Sequence, residues 1–263
     1  MGIFVDENST IYVADSNNAR IVKWTKGASY GQIVAGKLGA GLSDAQLFAP
    51  MDVVVDKEGT MYITDSGNSR VQKWTRNADS GITVLNIQRP LGIALDNEES
   101  IYVSAFYKSQ SLIKIRKNER TGNILSSDAR DLYNLFVDSK RSVYGADTSF
   151  NRIIKLDEGT SQMYTVVGGM FAFDDSSVSL PRSVLVDQMG TIYVVEYGKN
   201  QVSRWLPGAK SGIVIAGGNS QGSRADQLAL PTDIAFDADG NLYVSDSANQ
   251  RIQKFSINKS SCH

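Results

Sequence analysis

The stretch IYVADSNNARIVKW, Ile11–Trp24, returns as MYITDSGNSRVQKW at Met61–Trp74. A chain that repeats a phrase is assembled from copies of one structural unit. The tyrosine in second place marks six copies, at Tyr12, Tyr62, Tyr102, Tyr144, Tyr193 and Tyr243, spaced by 50, 40, 42, 49 and 50 residues. Ahead of each lies a β-branched run ending in aspartate, such as DVVVD or DIAFD, and behind it a third apolar segment, such as RVQKW or RIQKF. A fourth segment, such as QIVAG or GIVIAG, follows in five of the six units. Each unit therefore predicts four short strands, a to d, with turns between them and no amphipathic helix. Units of this size cannot bury both faces alone, but repeated radially they cover one another. The expected fold is all-β, a six-bladed β-propeller with blades near 1–49, 50–89, 90–131, 132–180, 181–230 and 231–263.

What repeats reads as scaffold. Asp6, Asp56, Asp96, Asp138, Asp187 and Asp237 close strand a in all six units, where aspartate can bond backbone N–H groups of the following turn. Asp15 and Arg20, Asp65 and Arg70, Asp147 and Arg152, and Asp246 and Arg251 share one spacing across the b–c turn, which places them side by side as ion pairs. Glu196 is matched by Gln201, and where Ala105 drops the acid, Gln110 drops the base. Joint loss is what a pair requires, because one unpaired buried charge is costly. Asn18, Asn68, Asn151 and Asn249 lie in these turns and are expected to supply the left-handed residue. Trp24, Trp74 and Trp205 exchange with Ile115, Leu156 and Phe255 at one position, which points to packing between blades.

The pattern P-x-G-I-A-x-D…G-x-IYV-x-D-x-x-N-x-R-I-x-K resembles the NHL repeat. It is carried most fully by Pro50–Trp74 and Pro231–Phe255, and nearly as well by Met1–Trp24. The resemblance implies the propeller fold. It leaves function open, since propellers of this kind serve as protein- or RNA-binding platforms, as sensor domains and, among relatives, as enzymes.

Function is sought where the units disagree. Three b–c turns are bland, but those of blades 3, 4 and 5 carry Phe106, Tyr107 and Lys108, then Phe150, then Tyr197 and Lys199. Crossings from strand d to the next strand a share this rim and add Arg89, Arg130, Phe171, Phe173 and Arg182. Aromatic residues clustered with Arg and Lys have the composition of a binding hot spot, so the leading expectation is a non-enzymatic propeller that takes a protein or peptide partner here. RNA recognition would have to rest on the same sector, because 27 basic against 28 acidic side chains give no global attraction to nucleic acid. The alternative is a hydrolase or lactonase. Position one of strand a at the channel mouth reads Gly2, Asp52, Gly92, Asn134, Ser183 and Asp233. Asp52, Asn134 and Asp233 could supply oxygen ligands to Ca²⁺, the ion that resemblance to six-bladed lactonase-type enzymes implies.

Other chemistry is excluded by composition. The single histidine, His263, and single cysteine, Cys262, leave no Ser-His-Asp or Cys-His catalysis, no His-ligated zinc and no internal disulfide. The segment GKLGAGLSDAQL mimics a phosphate loop but lacks the Lys-Ser/Thr ending. The longest apolar runs are far short of a bilayer span. At the seam, only eight residues follow Phe255, so blade 6 is expected to lack its outer strand. The chain then reads as part of a longer protein, with an open edge available for self-association.

Overall fold

In a computed structural model, which describes residues 1–106, 112–117, 119, 121–126, 132–169 and 177–256, six separate antiparallel sheets follow one another along the chain. Strands within each sheet lie in chain order. Blade 1 comprises Ile3–Val5, Ile11–Asp15, Arg20–Trp24 and Gln32–Ala35, and blade 2 comprises Pro50–Val55, Met61–Asp65, Arg70–Trp74 and Ile82–Asn86. Blades 3, 4 and 5 repeat the four-stranded pattern, whereas blade 6 has three strands, Pro231–Phe236, Leu242–Asp246 and Arg251–Phe255. No described segment forms an α-helix.

Strand a lines the channel and strand d faces outward, so the core is divided into layers between blades. Ile21 and Ala35 of blade 1 pack against Val53, Ile63 and Trp74 of blade 2, and Ile153 and Val167 of blade 4 against Val184, Val194 and Trp205 of blade 5. The aspartate ending strand a fixes the a–b turn as expected, accepting from the amide four residues on in every blade: Asp6 from Thr10, Asp56 from Thr60, and so on to Asp237 from Asn241. In blades 3 to 6 its second oxygen also takes the hydroxyl of the repeating tyrosine, as in Tyr102 to Asp96 at 3.0 Å and Tyr243 to Asp237 at 3.1 Å. The tyrosine that serves as a ruler in the sequence is thus a tie between strands a and b.

The b–c turns of blades 1, 2, 4, 5 and 6 form single 3₁₀ turns, and all four acid–arginine pairs are made, at 2.7–2.8 Å from Nε to Oδ2. Gln201 likewise donates to Glu196 at 2.9 Å. Each pair is single-point. The remaining guanidinium donors reach the d–a crossing, where Arg70 bonds the carbonyls of Ser43 and Gln46 and Arg251 those of Ser223, Arg224 and Gln227. The acid closes the same crossing from the other side, Asp65 accepting from Phe48 N and Asp246 from Ala229 N. The expected role of the turn asparagines needs correction. The left-handed residues are Ala19, Ser69, Asn151, Asn200 and Gln250, one position after Asn18, Asn68 and Asn249. Those three instead donate Nδ2 to the pairing acid at 2.8–3.0 Å. Asn151 belongs to the later position, because TSF replaces the SNN of blade 1.

Tryptophan at the end of strand c packs back onto the preceding blade. Trp74 and Trp205 are 2% and 3% exposed, but Trp24, which faces blade 6, is 38% exposed, so the expectation of inter-blade packing fails at this one joint. Trp74→Ala should therefore cost about 3–5 kcal/mol, in the range for buried large-to-small changes, and Trp24→Ala about 1 kcal/mol or less. Denaturant unfolding of the two variants checks the contrast.

Candidate binding site on the rim and at the channel mouth

The inner ring is built by alternation. In blades 2, 4 and 6 the mouth position carries Asp52, Asn134 and Asp233, and each side chain reaches the next blade. Asp52 Oδ2 accepts from Ile93 N at 3.0 Å, Asn134 Oδ1 from Val184 N at 3.5 Å, and Asp233 Oδ2 from Ile3 N at 2.7 Å. The alternate blades carry Gly2, Gly92 and Ser183, because space is needed there. A Cβ on Gly2 would stand 2.3 Å from Asp52 Oδ1, and one on Gly92 would stand 2.7 Å from the Asn134 Cα. Ser183 makes use of its position by donating Oγ–H to Asp233 Oδ1 at 2.6 Å.

Both acids are buried, and burial raises the pKa of each; for Asp52 the charge of Asp233 adds to the rise. The oxygens of Asp52, Asn134 and Asp233 all accept a backbone N–H, since Val53 N and Ile234 N serve the two that remain. The Asn134 amide turns its Nδ2, not its carbonyl oxygen, toward Asp233 Oδ1 at 3.3 Å. This set does not fit Ca²⁺, which needs several oxygens free of protein donors. Among the described residues, the acidic cluster with ligand spacing is Asp56, Glu58 and Glu99, which lies on the a–b turns, where Glu99 pairs with Lys117 at 2.6 Å.

One residue before the inner ring, the repeat reads Met1, Met51, Leu91, Tyr133, Arg182 and Thr232. Blades 4 and 5 place an aromatic and a cation here side by side. The Arg182 guanidinium carbon stands 3.6 Å from the Tyr133 ring centroid and 4.8 Å from that of Tyr197 on the b–c turn. It is held between two π-faces, an arrangement favoured by the ring quadrupoles. Its Nε is buried with no hydrogen-bond partner, and no acid among the described residues pairs with it.

The other sector residues are brought to the same rim in smaller units. Arg89 lies 4.9 Å from the Phe106 centroid. Arg152 lies 5.1 Å from that of Phe150, which is 39% exposed, while also pairing with Asp147. Lys199 is turned inward, donating to the Ser177 carbonyl at 2.9 Å and standing 3.3 Å from Glu196, so its charge is already matched. Tyr107, Lys108, Arg130, Phe171 and Phe173 lie outside the described residues. Sequence reasoning missed Tyr133. The signal was available in the register, because Tyr133 and Arg182 occupy one repeat position in adjacent blades.

Comparison with known proteins agrees with this architecture. The NHL repeat family model matches residues 228–255. No curated protein matches the sequence. An auxiliary nutrient binding protein from Bacteroides ovatus is similar in structure, with TM-score 0.75 and 16% identity over 97% of this chain and 68% of that one. A virginiamycin B lyase from Staphylococcus aureus is similar with TM-score 0.64 and 13% identity, over 98% and 84%. A nidogen/laminin complex chain gives 0.70 and 13%, over 94% and 89%. At such identities the likeness is one of fold, and the chain is a six-bladed β-propeller whose residues 228–255 match the NHL repeat.

Proposed function

We propose that this propeller is a binding module whose partner is a protein or peptide presenting a carboxylate to Arg182. The observation that carries the reading is the guanidinium stacked on Tyr133 and Tyr197 with a buried Nε that has no partner among the described residues. A buried donor without an acceptor is costly, and a planar carboxylate is the group whose geometry matches a fixed guanidinium. The stacked rings hold the side chain in place before a ligand arrives, which reduces the entropy lost on binding. Phe106 and Phe150 extend an aromatic surface along the neighbouring blades, as expected of a macromolecular contact. Arg152 and Lys199 are matched internally, which among the described residues leaves Arg89 and Arg182 as the cations of this sector without an acid partner.

The enzyme alternative has less support. The lyase from Staphylococcus aureus is catalytically inactive when one histidine is replaced by alanine. The histidine of this chain, His263, comes eight residues after the last repeat strand, Arg251–Phe255. Selection of peptides from a random display library against the whole chain tests the binding reading. Enriched peptides are expected to carry Asp, Glu or a free C-terminus and to lose about 10- to 100-fold in affinity for Arg182→Ala, the loss of a charge-assisted hydrogen bond. Tyr197→Ser should weaken the same peptides while leaving the melting temperature nearly unchanged. Peptides that bind the Arg182→Ala protein equally well would refute the assignment.

A further inference from the structure

Two leucines flank Arg182, and the chain holds both in a conformation that leucine disfavours. Leu180 and Leu230 stand immediately before Pro181 and Pro231, at φ +46 and +50°, in the left-handed region where a bulky residue is strained. Each is kept there by an asparagine of the preceding b–c turn: Leu180 N donates to Asn151 Oδ1 and Leu230 N to Asn200 Oδ1, both at 2.8 Å. Blades 1 and 2 have Ala19 and Ser69 at that turn position, and the crossings after them place Ala49 and Arg89 before the proline. The crossings also bond the turn ahead, Ser179 O accepting from Gly198 N at 3.1 Å and Ala229 O from Ala248 N at 3.0 Å. Leu180 thus lies between the turns of blades 4 and 5, and Leu230 between those of blades 5 and 6. The turn they enclose carries Tyr197, which covers Arg182.

Both side chains are left accessible. Leu180 is 41% exposed, and Leu230 lines one cavity with Tyr197, Met51 and Thr232. Beneath Arg182 the mouth is closed, because Ser183 and Asp233 are buried and hydrogen-bonded to each other, with Asn134 Nδ2 also turned to Asp233. A ligand group that reaches Arg182 therefore goes no further. We infer, resting on the assignment of Arg182 to a carboxylate, that the partner docks by a free C-terminus with an apolar last residue. A C-terminus carries carboxylate and side chain on one carbon, and has no onward chain to lead out of a closed mouth. Its carboxylate faces the guanidinium, its last side chain covers Leu230 beside Tyr197, and the residue before it lies against Leu180. An internal Asp or Glu brings main chain in on both sides, and its apolar neighbours point away from the acid.

The test is titration of the acetylated peptide GSGSLL, with a free terminal carboxylate, into the whole chain. Saturable binding is expected, at least tenfold weaker for the terminal amide of the same peptide and for GSGSSS with a free carboxylate. Leu230→Asn should shrink the preference for GSGSLL over GSGSSS while the melting temperature holds or rises, since asparagine adopts left-handed backbone more readily than leucine. A merely structural role for Leu230 would instead lower the melting temperature and leave that preference unchanged, which overturns the inference. So does the absence of saturable binding at millimolar GSGSLL, or equal binding of the amide or of GSGSSS. The amidated peptide GSGDLLS, whose acid is internal, separates this inference from the assignment beneath it. If it binds at least as tightly as GSGSLL and loses affinity for Arg182→Ala, the C-terminal assignment falls and the carboxylate site stands. Equal binding of every peptide to the Arg182→Ala protein overturns both.

Discussion

Asp65→Ala is expected to lower stability by about 3–5 kcal/mol, the range for breaking a buried ion pair from one side. The carboxylate is fully buried and holds Arg70 Nε at 2.7 Å, Asn68 Nδ2 at 2.8 Å and Phe48 N at 2.7 Å. Its removal leaves a guanidinium only 9% exposed, whose remaining partners are the carbonyls of Ser43 and Gln46 and, at 3.3 Å, the largely exposed carboxylate of Asp44. The same substitution one blade earlier, Asp15→Ala, leaves Arg20 at 37% exposure, where water takes over much of the interaction and the loss is about 1 kcal/mol or less. At roughly 2–4 °C per kcal/mol for a chain of this size, the two variants should melt apart by about 5–15 °C in calorimetry. The double variant Asp65→Ala/Arg70→Met should recover part of the loss, because no unpaired charge remains. Blade 3 shows that route in the natural sequence, with Ala105 and Gln110 in place of acid and base. Equal losses at Asp65 and Asp15 would mean that burial does not set the strength of these pairs.

The second large effect is a decline in stability with rising pH. Burial and mutual charge push the Asp52 carboxyl up to about 8 and burial pushes Asp233 up to about 6, from an ordinary value of 3.8. The folded protein thus retains protons that the unfolded chain gives up above pH ~4, so folding takes up protons and stability falls as pH rises. The contribution is most favourable below pH ~4 and is progressively lost as pH passes through the two folded-state values. Between pH 6 and 8.5 the two carboxyls alone should cost about 3 kcal/mol, given about 1.4 kcal/mol per proton per pH unit, offset in part by the Met1 amino group, whose pKa burial lowers. Asp52→Asn removes the titration and forfeits one acceptor, so it should start less stable at pH 5 and show the flatter profile above pH 6. Arg182 and the amino group of Met1 share the field of these acids, and both are retained in the variant. The difference between the two thermal melting profiles therefore isolates the Asp52 proton. Parallel profiles would contradict the assignment.

The fold was legible because each unit repeats the residues that make its turns. Asp at the end of strand a and Tyr six residues later recur in all six blades, and the acid–arginine pair in four, because each answers a local demand for hydrogen bonds. The matched exchanges at Glu196/Gln201 and Ala105/Gln110 exposed the pairing before any coordinates, since a charge and its partner change together. The proposed binding site was legible in part. Phe106, Phe150, Tyr197 and Arg182 stood out as departures from the repeat, but the contact between Arg182 and Tyr133 crosses from blade to blade and depends on side-chain direction. Lys199 looked like a free cation because the Ser177 carbonyl that takes it lies on a crossing, 22 residues earlier in sequence. Asp52 and Asp233 looked like ligands because a sequence shows a carboxylate but not the amides of the next blade that it accepts. Trp24 misled for the opposite reason: its position is a packing position wherever the preceding blade is complete.

The alternation at the channel mouth gives the ring a period of two blades, although the repeat itself has a period of one. Joints from blade 2 to 3, 4 to 5 and 6 to 1 are bridged by a long side chain, and the joints between them are closed by a small one. Deleting or inserting one blade would set two bridging residues, or two small ones, next to each other at a single joint. The first arrangement drives a side chain into the space that a glycine keeps clear, and the second leaves a backbone amide without its acceptor. Shortening or lengthening by two blades preserves every joint. For such a ring, the blade pair is the smallest piece that can be exchanged, so recombination or design should cut after blades 2, 4 and 6 and keep each small residue with the long one that follows it.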